Sequence, residues 1–187
     1  MSPLPIFSGT NSNHGAVVPI SYQKLTSSSS SVVFSNIPQN YQDLWIMVVG
    51  TQSNVNRINI NFNGDTGNTS LYSTTVLSAF SGGYSSYAYT NSNYIFGGGL
   101  TNGWDSFYTA SAEINILNYT TPSYYKNLIS RFAGDKSSLN VNNGSTEASI
   151  GTWRSRSPIT SVSIISGSGS WQPGTTLELY GIRGQGQ

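Results

Sequence analysis

This sequence predicts an all-β fold: an antiparallel β-sandwich of jelly-roll type, with about eight to ten strands and an extended N-terminal arm. Three observations lead there. Strand formers (Val, Ile, Tyr, Phe, Trp, Thr) recur in short runs punctuated by Gly, Asn, Pro and Ser. Several of those runs alternate apolar and polar residues, the period of a strand with one buried face. No window sustains a helical period with caps at both ends. The length of 187 residues suits a single domain with a real core.

The elements follow in order. Residues 22–26 are a weak strand candidate. Residues 31–37 set Val32 and Phe34 in alternation with other neighbours. Residues 44–49, LWIMVV, form a continuous apolar run suited to a central strand covered on both faces, with Trp45 in the core. Residues 56–62 put Ile58, Ile60 and Phe62 on one face and Asn59 and Asn61 on the other; Asn63-Gly64-Asp65 then turns the chain. Residues 71–77 are a second weak candidate. Residues 107–117 set Tyr108, Ala110, Ala112, Ile114 and Ile116 against Thr109, Ser111, Glu113 and Asn115. Residues 124–133 are a mixed aromatic and aliphatic run, and 150–153 a short one. The last two strands, 159–166 and 175–182, are joined by a Gly/Ser-rich turn closed by Pro173 and Gly174. The fold is expected to finish with the second of them. Both faces of several strands look coverable.

Two segments break the pattern. Residues 1–19 hold three of the seven prolines and little periodicity, so they read as an arm ahead of a sandwich domain spanning 20–187. The arm is either a loose terminus or a strap on a neighbouring subunit, with Ile6 and Phe7 as the tether. Its composition lacks a basic segment followed by an apolar one, so no secretory signal is expected. Residues 80–103 read as a long loop or irregular hairpin carrying Tyr84, Tyr87, Tyr89 and Tyr94, with Trp104 exposed beside it. Such rings stack on sugars or supply large contact area in protein interfaces; subunit contact is the commoner use.

Charged residues make up only 8% of the chain and the net charge is +1, so nothing draws the protein toward nucleic acid. Arg154 and Arg156 read as a solvated turn. No apolar stretch approaches the ~20 residues that span a bilayer. Cysteine is absent, which removes disulfides and thiolate metal sites. The only histidine, His14, falls in the arm, so a Ser-His-Asp or Cys-His constellation is not expected. Of the seven carboxylates, Asp65 and Asp135 sit beside glycines in turns, and Glu113 and Glu178 on polar strand faces. Gly97-Gly98-Gly99 lacks the Gly-Lys-Ser/Thr of a phosphate cradle. The turn 63–68 lacks the closing acid of a calcium loop. Neither catalysis nor a cofactor is expected.

Three segments carry a family resemblance: TSSSSSVVFSNIPQNYQDLWIMV (26–48), INFNGDTGNTSLYSTT (60–75) and TWRSRSPITSVSIISGSGSWQPGTTLELYGI (152–182). They are similar, in order, to a family of small tailed-bacteriophage virion proteins that pair SxVxFSxIPQxYxDL, RFNGDTGxxYS and a closing FxxGTTFxLYGI. The resemblance implies an oligomeric β-sandwich component of the virion and brings no catalytic residues with it. The expected function is a decoration or cement protein bound to the outer shell as a trimer, with the major capsid protein or other virion proteins as partners. The alternative is a tail-fibre adhesin binding host surface glycan. The chain departs from the family pattern in the region 84–104 and in the arm.

Overall fold

The structure, a computed structural model, describes residues 17–54, 57–66, 71–80, 82–99, 109–135 and 144–184. Among them are twelve strands and no helix. They are β1 (Val17–Lys24), β2 (Ser31–Phe34), β3 (Asp43–Gly50), β4 (Ile58–Phe62), β5 (Tyr72–Phe80) and β6 (Gly83–Ser92). Then follow β7 (Ile95–Gly98), β8 (Ala110–Leu117), β9 (Lys126–Asp135), β10 (Gly144–Trp153), β11 (Val162–Ser166) and β12 (Thr176–Ile182). Every pairing is antiparallel. An eight-stranded sheet runs β1-β12-β3-β8-β9-β10-β5-β6, and a four-stranded sheet runs β2-β11-β4-β7. The two pack face to face as a sandwich.

The extra strands lie where side-chain patterning is weakest. β6, GYSSYAYTNS, has no aliphatic alternation and was legible only as loop or irregular hairpin; it closes on β5 with Phe80 opposite Gly83. β10 begins six residues before the short run expected at 150–153, because Gly, Ser, Thr and Ala supply most of its first half. β1 opens at Val17, inside the span expected as arm, where Val17, Val18 and Pro19 pair with Ile182, Gly181 and Tyr180.

The core lies between the sheets. Leu44, Ile46, Val48, Ile114, Ile116, Leu128, Phe132, Leu177 and Leu179 descend from the large sheet onto Val32, Phe34, Ile58, Ile60, Phe62, Val162 and Ile164 of the small one. Trp45 is not among them. It stands on the outer face of β3, half-buried, tilted against Tyr180 of β12 with ring centroids 5.5 Å apart. The run LWIMVV is therefore apolar on both faces although only one faces the core. Trp153 and Trp171 fill core positions instead. In β4 the Asn59 and Asn61 face is buried as well, so that strand is covered on both sides.

β7, the terminal strand of the small sheet, lies against β5, β8, β9 and β10 of the large one and, among the described residues, has β4 as its one strand partner in the small sheet. Hydroxyl side chains of the large sheet complete the hydrogen bonding of β4 and β7. The Phe96 N–H donates to Thr74 Oγ1 at 3.2 Å, and the Ser130 hydroxyl donates to the Gly97 carbonyl at 3.2 Å. Pairing of β4 with β7 stops at Ile60, and beyond it Tyr72 Oη accepts from the Phe62 N–H at 3.0 Å and donates to the Phe62 carbonyl at 3.4 Å. Buried backbone groups must be paired, which explains why Thr74, Ser130 and Tyr72 occupy inward positions that aliphatic residues would otherwise take.

Burial raises the pKa of Tyr72 well above the ordinary phenol value, offset in part by the Phe62 hydrogen bond, and burial raises that of Tyr119 too. A group whose pKa is higher folded than unfolded contributes stability below its unfolded value, near 10, and loses it as pH climbs further. Stability is therefore expected to fall above about pH 10. Tyr72→Phe should be less stable at neutral pH and show a shallower alkaline decline, measurable as the urea midpoint between neutral and alkaline buffer. Equal slopes in the two proteins would contradict this account of Tyr72.

Candidate protein interface

Residues 34–44, 60–66, 152–161 and 180–182 meet at one end of the sandwich and are occupied in holding it together. Asn63 takes a left-handed conformation (φ 54°), and Gly64 follows at φ 68°. The Asn63 side chain then braces the approach to β11. Its Oδ1 accepts from the backbone N–H of Thr160 (2.8 Å) and Ser161 (3.1 Å), and its Nδ2 donates to the Pro158 carbonyl (2.9 Å). Asp65 accepts from the Trp153 indole N–H at 3.1 Å. Gln39 donates to the carbonyls of Ile37 and Ile159, and the Tyr119 hydroxyl to that of Pro38. Tyr41 lies over Gly181, where any Cβ would fall into its ring. The motif stretches FSNIPQNYQDL, FNGDT and YGI thus describe packing at a corner, whereas Thr175 and Thr176 lie at the other end of β12, beside Gly50 and Val49.

The carboxylates whose side chains the structure describes are likewise engaged. Asp43 accepts from the Asn118 N–H at 2.7 Å, and Glu147 from the Ser78 hydroxyl at 3.3 Å. Glu178 accepts from the Tyr180 hydroxyl, and Glu113 faces Arg131 at 3.8 Å. Asp135 ends β9 instead of lying in a turn. Among the described residues, no three His, Cys, Asp or Glu side chains converge to hold a metal ion. Asp105 and His14 lie outside the described residues.

The tyrosines expected to act together are separated by the pleat of β6. Tyr84 projects from the outer face of the large sheet and is 89% exposed. Tyr87 and Tyr89 are half-buried and point to the other face, opposite Val76 and Thr74 of β5. Tyr89 and Tyr94 pack edge-on against Phe96, with centroids 4.4 and 5.3 Å away, and Arg57 lies 4.5 Å from the same ring. Tyr84 alone of the four is fully presented to solvent. Ile6, Phe7 and Trp104 lie outside the described residues.

The outer face of the eight-stranded sheet is the surface that individual strands did not reveal. Register aligns its side chains in rows across the strands. One row reads Ala88, Thr75, Ile150, Ile129, Asn115, Trp45, Tyr180, Pro19. The next reads Ser86, Leu77, Ala148, Arg131, Glu113, Met47, Glu178, Tyr22. At ~4.8 Å per strand the face is about 34 Å wide. Leu77 and Ile150 are each 60% exposed, and Ile129 is 39% exposed. β5, β6 and β10 place no charged residue on this face. Charge lies toward the middle and the far side: the Arg131–Glu113 pair, Asp43, Glu178 and Lys24. A depression of 560 Å3 opens between Leu77, Tyr84, Ser86, Arg131 and Thr146. The signal for this surface was present as alternation in 144–150, but small residues on both faces hid it.

No family model matches the chain, and no curated protein matches it. Among solved structures, that of alginate lyase Aly36B is similar over 86% of this chain and 77% of its own length. The identity is 9% and the TM-score 0.30, too distant for any argument about activity.

Proposed function

We propose that this chain is a non-enzymatic structural protein of a bacteriophage particle, a decoration protein that attaches to the outer shell through the outer face of its large sheet. The observation that carries the reading is the apolar, uncharged half of that face, around Leu77, Ala148, Ile150 and Ile129. Contiguous exposed apolar area on a folded domain marks an interaction site, and a face of Thr, Ser and Ala around it costs little to desolvate. The family resemblance supplies the particle and the shell protein as partner. A repeating shell multiplies a modest contact into stable coverage by mass action.

The test is co-sedimentation with shells stripped of this protein. Leu77→Asp and Ile150→Asp each replace an exposed side chain, so folding should survive while saturable binding falls at least about tenfold, the effect of ~1.4 kcal/mol. Undiminished binding of both variants would rule the face out. The adhesin reading rests on a different observation, the exposed Tyr84 ring beside the depression lined by Ser86 and Arg131. It predicts attachment to whole host cells that Tyr84→Ala abolishes and Ile150→Asp leaves intact.

A further inference from the structure

The two edges of the large sheet differ in kind. At one edge, β1 has a register shift between Pro19 and Ser21, a proline without an N–H, and Lys24 at its end. Those are the devices by which sheet proteins keep a free edge from pairing. At the other edge, β6 is ten residues long and carries no proline and no charge, and its pairing with β5 is regular from Thr74–Tyr89 to Phe80–Gly83. Among the described residues no strand covers it. Alternate residues of an antiparallel strand aim their backbone groups at opposite neighbours. With the hairpin closed at Phe80 and Gly83, those aimed outward belong to Tyr84, Ser86 and Ala88. Their side chains lie on the exposed outer face.

We propose that β6 is a self-pairing edge: two copies of this chain join their large sheets through antiparallel β6–β6 contact about a two-fold axis at Tyr87. The register sets Ser86 opposite Ala88 and Tyr84 opposite Thr90 on the outer face. It sets Tyr87 opposite its own mate and Tyr89 opposite Ser85 on the inner face, and aromatic cross-strand pairs favour such an arrangement. No like charges meet, because the strand has none. The blocked β1 edge stops further growth, so the contact closes as a dimer instead of running on as a fibre. The join also abuts the apolar half of each outer face, making one continuous surface from two.

This inference is independent of shell attachment, since it concerns the isolated protein. Sedimentation equilibrium should give a dimer for the full chain. Ser86→Pro removes an outward N–H without touching the β5 ladder, and Ala88→Lys sets cations beside the axis. Either should weaken the dimer by about a hundredfold, because a two-fold applies each change twice. Circular dichroism should show unchanged strand content in both variants. Tyr22→Lys at the opposite edge should leave the dimer intact. A monomer at all concentrations, a trimer, or a dimer indifferent to both β6 substitutions would overturn the proposal.

Discussion

Gly98→Val is expected to cost on the order of 4 kcal/mol, enough to threaten a domain of ordinary stability. Two independent effects combine. Gly98 holds φ at 127°, a region that L side chains rarely adopt, and a Cβ there would fall onto the Cβ of Phe132. Phe132 is core and cannot retreat, and Gly97 beside it is tied to Ser130. To relieve the overlap, β7 would have to lift from the large sheet. That breaks the Phe96–Thr74 and Gly97–Ser130 bonds in an interior where neither group finds water. Urea unfolding followed by tryptophan fluorescence measures the loss. A cost below about 1 kcal/mol would mean that β7 is not held against the sheet as described.

Lys126→Met should be the next most damaging change. The Lys126 side chain is buried, and its ammonium donates to the carbonyls of Thr121, Tyr124 (3.1 Å) and Arg156 (3.2 Å). Burial pulls its pKa down, yet the three carbonyls occupy all three of its donors. Two of them belong to the β8–β9 connection and one to the segment after β10, so a single cation ties two loops. Methionine preserves the stem but leaves the carbonyls without a donor, a loss on the order of 3 kcal/mol. For a domain of this size that is about 6–12 °C in Tm. Calorimetry of the variant decides it; a shift of a degree or less would mean water satisfies those carbonyls.

Lys126 was also a blind spot of the sequence reading. A lysine at the start of a mixed run looks like an ordinary solvated charge, and nothing local announces that carbonyls from residues 121, 124 and 156 surround it. Trp45 failed in the opposite direction. Its apolar neighbours suggested a strand covered twice, but Trp45 stands half-buried on the outer face of β3, tilted against Tyr180. For the tyrosines, composition marks an aromatic segment, while the pleat of β6 decides that Tyr84 faces solvent and Tyr87 and Tyr89 do not.

Local chemistry determined by itself that the chain is all-β, where most strands run, and that Asn63-Gly64 turns. Alternation and left-handed turn residues act over a few positions and leave their mark in adjacent letters. The order of strands in each sheet was decided only in three dimensions. So were the burial of Asn59 and Asn61, the hydroxyls that complete β7, and the rows on the outer face. Each depends on residues far apart in the chain, such as Leu77 beside Ala148 and Ala148 beside Arg131. The physical reason is that a side chain's pattern can propose which face turns inward, but coverage depends on what the rest of the chain brings to lie upon it.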